Sequence, residues 1–511
     1  MIRDGAGKRS SSGVTRGVAA MLVCAGALAG CGDSPEEMVS AAQAYLAKGE
    51  RSAASIELKN ALQQDGNIAI ARFLLGTIEL DQGNVASGVK NLERALELGH
   101  PSAAVAPHLA RGLVMSGRFD KVIDDYASTR VDDPAGQVKL LGAVGDARFA
   151  RGELPDSRTA YESALSLAPD DLTAILGLGR IRLLSGDLDA ALADADRAVA
   201  INGAFGDAHA LRADALNALG RTDDAVSALE AAVKASPRSL GYHFALISLL
   251  LRGDKLDAAE AHLAELKKFA AKEPATHYLS AFVDFRRDRV PAAREAIDAM
   301  MRVVPEHPAG QLLAGAIYLR QGEQAQAQRF LQSVLSKMPE NALARRLLAA
   351  SLLQSGDAER AREQLKPLMN DAEDVGTMML AGHINLASGD FAGASGFFER
   401  VVAAKPGDAG ARTRLAVARL SSGDTQRGIA DLEAAAELDA GNGQPEFTLA
   451  LAYLRSGDYD KALEAQQDLE KKFPTNPQTF NLKGGILLAK RDAAGARAAF
   501  ERAVELDPKS L

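Results

Sequence analysis

Between residues 443 and 476 the apolar positions form two helical stripes with a break between them. Leu449, Ala450, Tyr453 and Leu454 recur at helical spacing from Pro445 to Arg455, and Ser456-Gly457-Asp458 interrupts them. Ala462, Leu463 and Leu469 then resume the pattern from Tyr459 to Lys472, and Pro474 stops it. This pattern predicts a helix A, a tight turn, a helix B and an exit turn. The turn glycine recurs about every 34 residues: Gly49, Gly83, Gly117, Gly152, Gly186, Gly220 and Gly253, then Gly322, Gly356, Gly389, Gly423 and Gly457. Two gaps, at Arg287 and Arg491, fall where the period requires a turn and are each followed by an aspartate, Asp288 and Asp492. The count is fourteen copies, a period characteristic of a solenoid in which each unit buries its apolar face on its neighbours.

With the turn residue at the fifteenth place of each copy, two other places are restricted to small residues. The eighth is Gly76, Gly145, Gly179, Gly315, Gly382 and Gly484 in six copies, and the twentieth is Ala in most, with Val122 as a departure. A small residue there lets two helices approach closely. Pro134, Pro169, Pro237, Pro339, Pro406, Pro474 and Pro508 close seven copies. These places resemble the tetratricopeptide repeat. The resemblance implies an all-α, right-handed superhelical solenoid of about fourteen helix-turn-helix repeats. Three departures predict local changes. Arg287 and Arg491 call for differently shaped turns, Pro367 for a kink in a second helix, and Gly441-Asn442-Gly443 for a flexible exit.

Ahead of the array the chain reads as an address. Lys8, Arg9 and Arg16 precede the uncharged apolar run 17–30, too short for a comfortable membrane span. The run ends in Leu28-Ala29-Gly30-Cys31, which resembles the bacterial lipobox. The resemblance implies a lipoprotein signal peptide at 1–30, cleavage before Cys31, and acylation of that cysteine, a stable membrane anchor. A plain signal peptide cut near Ala29 and an uncleaved anchor are the alternatives. Gly32 follows the cysteine and Asp33 comes one place later, which favours the outer over the inner membrane. Ser34-Pro35-Glu36-Glu37 reads as an N-cap, a proline at the first helical position and a capping-box glutamate. Residues 31–34 are thus a minimal linker, and 35–511 the solenoid.

Composition narrows the functional classes. The formal net charge is −8, and removing residues 1–30 takes away more basic than acidic residues. Nucleic acid or another acidic polymer is therefore not expected to bind through bulk electrostatics. Cys24 and Cys31 are the two cysteines, so no disulfide is expected in the folded body. The eight histidines are scattered, no HExxH or phosphate-loop motif occurs, and Gly177-Leu178-Gly179 lies within a helical pattern. No enzyme, metal or cofactor is expected.

What the tetratricopeptide resemblance implies is binding. In that family helix A lines a groove near places two, five, nine and twelve. Leu183, Leu250, Leu319, Leu353 and Leu386 belong to an apolar stripe at the twelfth place, broken at Asn217 and Asp284. That stripe is readable equally as a groove for protein segments and as packing between repeats. His243, His277, Asp284, Arg346 and His383 are the polar groove candidates. The absence of Trp argues against tight polysaccharide binding.

Residues 41–99 carry a narrower resemblance. The segment IELKNALQ (56–63), followed one helix later by ARFLLG (71–76), is similar to the PEP-CTERM/exosortase-system lipoproteins built of these repeats. The resemblance implies a periplasm-facing scaffold whose protein partners assemble or export exopolysaccharide, or handle sorted surface proteins. Scaffolding of pilus or secretin assembly is the alternative, and an enzyme acting on envelope polysaccharide ranks below both. Members of that family are generally longer, and the sequence stops just after a second helix. Self-association through an uncapped C-terminal end is the corresponding expectation.

Overall fold

The computed structural model describes residues 33–369, 374–438 and 441–508. Among these are twenty-eight α-helices, from α1 (Pro35–Ala47) to α28 (Ala493–Leu506); odd-numbered helices are the A helices and even-numbered ones the B helices. The signal segment and Cys31 lie outside the described residues. The chain divides into two compact units, Met1–Leu219 and Gly220–Leu511. In each unit an A helix packs on its own B helix, and each B helix packs on the following A helix. Most successive A helices also touch one another, whereas B helices make no comparable contact among themselves. The A helices therefore form the inner row of each unit.

The crossing of A on B explains the small residues. A Cβ on Gly382 would stand 2.5 Å from the ring of Phe398, one on Gly145 would stand 2.5 Å from Tyr161, and one on Gly76 would stand 2.8 Å from Leu92. The twentieth place seals the crossing from the other helix: Ala54, Ala191, Ala327 and Ala462 are fully buried, and so is Val122. Ser157 uses its hydroxyl there, donating to the Gly145 carbonyl at 2.8 Å.

The turns correct the sequence register in two repeats. The left-handed residue is Gly in most turns, but it is Asp254 (φ 57) and Asp288 (φ 58) where Gly253 and Arg287 were assigned, and Arg491 (φ 67) where expected. Gly253 itself has φ −83 and Arg287 has φ −84. The small places shift with the turns, to Ala259 and Ala293, both fully buried, in place of Ala258 and Ala292. Aspartate is among the residues that enter the left-handed region most readily. Each of these two is held by the following repeat: Arg286 Nη2 donates to Asp254 at 2.6 Å, and Arg320 Nη2 to Asp288 at 2.6 Å. The turn shape does not change. Lys255, Arg289 and Asp492 donate backbone N–H bonds to Leu250, Asp284 and Leu487 at 2.8–2.9 Å, as Glu153 does to Arg148 in a glycine turn.

The third repeat departs most. Helix α6 (Phe119–Tyr126) is about half the usual B length, and α7 (Pro134–Ala150) is the longest A helix. Pro134 therefore opens a helix, with Asp133 accepting from the Gly136 N–H at 2.7 Å, and does not follow the end of one as assigned. Ser128, Thr129 and Val131 are weak helix formers, and the Asp133 cap competes successfully for the chain. Elsewhere, Pro367 lies within α20 (Ala358–Met369). Gly443 (φ 70) is wedged against Phe473 and Leu469, which makes it a packing requirement.

Two substitutions separate turn from crossing. Arg491→Gly relieves a left-handed non-glycine residue and should stabilise its repeat by about 1 kcal/mol. Gly382→Ala, against the fully buried Phe398, should destabilise by about 1–3 kcal/mol despite the better helix propensity of alanine. Urea unfolding with amide exchange resolved by helix reads both.

Candidate interaction face

The inner row presents places two, five, nine and thirteen of each A helix to the open side. In the second unit a cavity of about 410 Å³ lies on this side. It is lined by Leu386, Gly410, Thr413, Arg414, Val417 and Thr448, from α21 (Val375–Ala387), α23 (Ala409–Ser421) and α25 (Gln444–Ser456). The glycine at the second place of α23 leaves the space open. In the first unit a smaller cavity, about 180 Å³, is lined by His108, Arg111, Lys139, Asp146 and Thr173 among others. Burial, then the charges of Lys139 and Arg111, lower the His108 pKa. Burial raises that of Asp146, although Tyr161 donates to its carboxylate at 2.7 Å.

The apolar stripe is largely spent on packing. Leu319 and Leu353 pack against one hydrophobic cluster, Leu183 against another and Leu386 against a third. Leu386 alone of the five also borders the cavity. Leu250 is only 2% exposed and offers nothing to a partner. With the corrected register, Leu251 and Phe285 hold the twelfth place in the seventh and eighth repeats. The stripe's break at Asp284 disappears, and Asn217 remains. Asp284 turns back on its own repeat and accepts from Arg289 Nε at 2.8 Å.

Of the polar candidates, His243 is a structural clamp. It is 2% exposed, and its Nε2 lies 3.1 Å from the Pro237 carbonyl, so Nε2 carries the proton. The same reach, to a carbonyl six residues earlier, is made by Arg72, His209, Gln311 and Arg345. All five occupy the fourth place, where each ties helix A to the preceding exit turn. His277 is half-buried on α15 (Pro274–Arg286). Arg346 is engaged by Asp374. His383 does face the groove: its Nε2 accepts from Arg414 Nε at 2.9 Å, and its ring meets Phe398 edge-on at 5.5 Å.

Three groove aromatics were missed because of the register error. Phe244 and Tyr278 occupy the fifth place of consecutive repeats and Phe282 the ninth. Phe244 stacks on Tyr278 at 6.3 Å, and Tyr278 contacts Phe282 at 6.2 Å.

Sequence models described as tetratricopeptide repeat match residues 39–107, 144–207, 211–274, 379–445 and 447–510, and a second such model matches 318–377. The chain belongs to the tetratricopeptide-repeat family. Such repeats generally mediate the binding of protein partners. No curated protein matches the chain. Among solved structures, one titled "Crystal structure of APC/C hetero-tetramer Cut9-Hcn1" aligns with a TM-score of 0.48 and 14% identity, over 92% of this chain and 96% of that one.

The Arg414–His383 contact sets a pH dependence. Burial, then the charge of Arg414, hold His383 below the ordinary histidine value, so it is neutral at pH 7. The unfolded chain takes up this proton before the folded one does. The contact's stabilisation is thus complete above a pH of about 6.5 and is lost as pH falls from there through the folded pKa. Histidine-labelled NMR should give a His383 midpoint below that of a free histidine, and Arg414→Ala should raise it.

Proposed function

We propose that the protein is a non-enzymatic interaction scaffold, tethered through acyl chains on Cys31 to an envelope membrane and facing the periplasm. Its partners are proteins of exopolysaccharide assembly and export linked to the PEP-CTERM/exosortase system. The observation that carries the scaffold reading is the open A-helix row of a tetratricopeptide-repeat array, with a cavity left between α21, α23 and α25. The tether rests on the Leu28-Ala29-Gly30-Cys31 motif behind its basic and apolar segments, and Gly32-Asp33 favours the outer membrane. The polysaccharide context rests on the resemblance of residues 41–99. With little linker before the Ser34 cap, an array anchored at Cys31 would begin close to the lipid surface, presenting its face to neighbours in the same envelope layer.

The test is acyl labelling together with a crosslinking pull-down from envelopes, comparing the native chain with Cys31→Ser. Label on the native chain and none on the variant, with export or sorting proteins enriched, is the expected result. An unlabelled native chain would overturn the tether. Partners drawn wholly from pilus or secretin assembly would move the scaffold to a different machine.

A further inference from the structure

The charges of the second unit are sorted by helix row. Its eight A helices carry ten basic residues against two acidic ones, Asp284 and Glu446. Its B helices carry seventeen basic against twenty acidic. The six A helices of the first unit are balanced, seven of each sign. The repeat fold itself therefore does not demand the imbalance.

Direction sharpens the contrast. Both acidic side chains turn inward, Asp284 to Arg289 and Glu446 to Lys472. Four of the basic residues do the same: Arg412 and Arg419 pair with Asp431, Lys483 pairs with Glu470, and Arg345 clamps the Pro339 carbonyl. Six arginines remain on the open side: Arg252, Arg286, Arg320, Arg346, Arg414 and Arg455. Asp254, Asp288 and Asp374 engage three of them from the turns and loops. Arg252, Arg414 and Arg455 are exposed and have no carboxylate partner among the described residues. None of places two, five, nine, twelve and thirteen is Asp or Glu in any of these eight repeats, although 67 of the 511 residues are acidic.

We infer that the A face of the second unit binds an acidic protein segment that also carries aromatic or aliphatic anchors. Charge complementarity selects the sign. A cationic face whose helix positions carry no carboxylate, on a net-negative chain, attracts anionic segments and repels the chain's own acidic surfaces. The surroundings select protein over polyanion. The arginines are separated by Leu, Met, Phe and Ala, so the face is mostly apolar with isolated donors. A nucleic acid or polyuronate instead requires a dense run of cations. Phe244, Tyr278 and Phe282 at one end and the cavity beside Arg414 at the other suit apolar anchors flanked by carboxylates. This inference rests on the scaffold reading and adds the partner's chemistry to it.

Random peptides displayed on phage and selected on the full chain provide the test, with the triple variant Arg252→Glu, Arg414→Glu, Arg455→Glu as comparison. All three side chains are exposed, so the variant should fold, and circular dichroism checks it. Lys139→Glu on the first unit is the control. Selected peptides should be enriched in Asp and Glu beside Phe, Tyr or Leu. Synthetic versions should lose about tenfold or more in affinity for the triple variant and little for the control. Four outcomes would overturn the inference: no acidic enrichment, no selected peptide, equal binding of Gln-for-Glu twins, or a polyuronate displacing the peptides at equal charge concentration. Each leaves the envelope pull-down unaffected, so the scaffold reading would fail or survive separately.

Discussion

Two helices can lie close along their length only where the side chains at their crossing are small, and this chain repeats that condition at most of its A–B pairs, with Val122 and Ile247 as the larger exceptions. In the other repeats glycine or alanine at the eighth place faces alanine, glycine or serine at the twentieth. A large residue of the facing helix fills the space each glycine leaves: Leu92 over Gly76, Leu80 over Gly88, Tyr161 over Gly145, Phe398 over Gly382. Aromatics are 5% of the chain and Trp is absent, yet the core closes because the helices do most of the filling themselves. The turn, the clamp at the fourth place and the spacing of the inner row all follow from the helix pair fixed at that crossing.

The left-handed turn residue is the second constraint, and it is softer. A non-glycine residue there costs roughly 1–2 kcal/mol of backbone preference. That is small enough for a favourable local contact to offset part of it. Asp254 and Asp288 show how, each receiving a guanidinium from the following repeat at the same relative position. Both pairs are substantially exposed and contribute modestly, about 1 kcal/mol or less each. The steric constraint at the crossing offers no such compensation, which is why glycine and alanine persist there more strictly than glycine does in the turns.

This difference in stringency explains what was legible in the sequence. Twelve repeats could be placed correctly from Gly49 to Arg491 because the turn residue and the small places agreed. In the seventh and eighth, Gly253 and an arginine drew the turn one residue early, and because 258–259 and 292–293 are both Ala-Ala the twentieth place fitted either register. The slip moved the candidate site more than the fold, since a one-residue error rotates a helical position by about 100°. It placed Leu250, His243 and Asp284 in the groove and hid Phe244, Tyr278 and Phe282. The short α6 was illegible for another reason: Pro134 occupies the usual closing place, and only the competition between the Ser128–Val131 stretch and the Asp133 cap decides that it starts a helix.

The sorting of charge between rows could not be read from composition, because net charge averages over both rows. It becomes visible only when each helix is assigned to the inner or outer row, and the comparison between units then gives it weight. Both units use the same crossing and the same turns, so packing imposes the same demands on their A helices. One unit meets them with balanced charge and internal pairs such as Arg111 with Asp81. The other leaves Arg252, Arg414 and Arg455 without a carboxylate partner among the described residues, on helix positions that carry no Asp or Glu. Such arginines, spread over several repeats and open to solvent, have their mutual repulsion screened by salt, whose screening length is about 8–10 Å. They cost the fold little and contribute little to its stability. Their effect is on what approaches the groove, which is where the two units, built alike, differ.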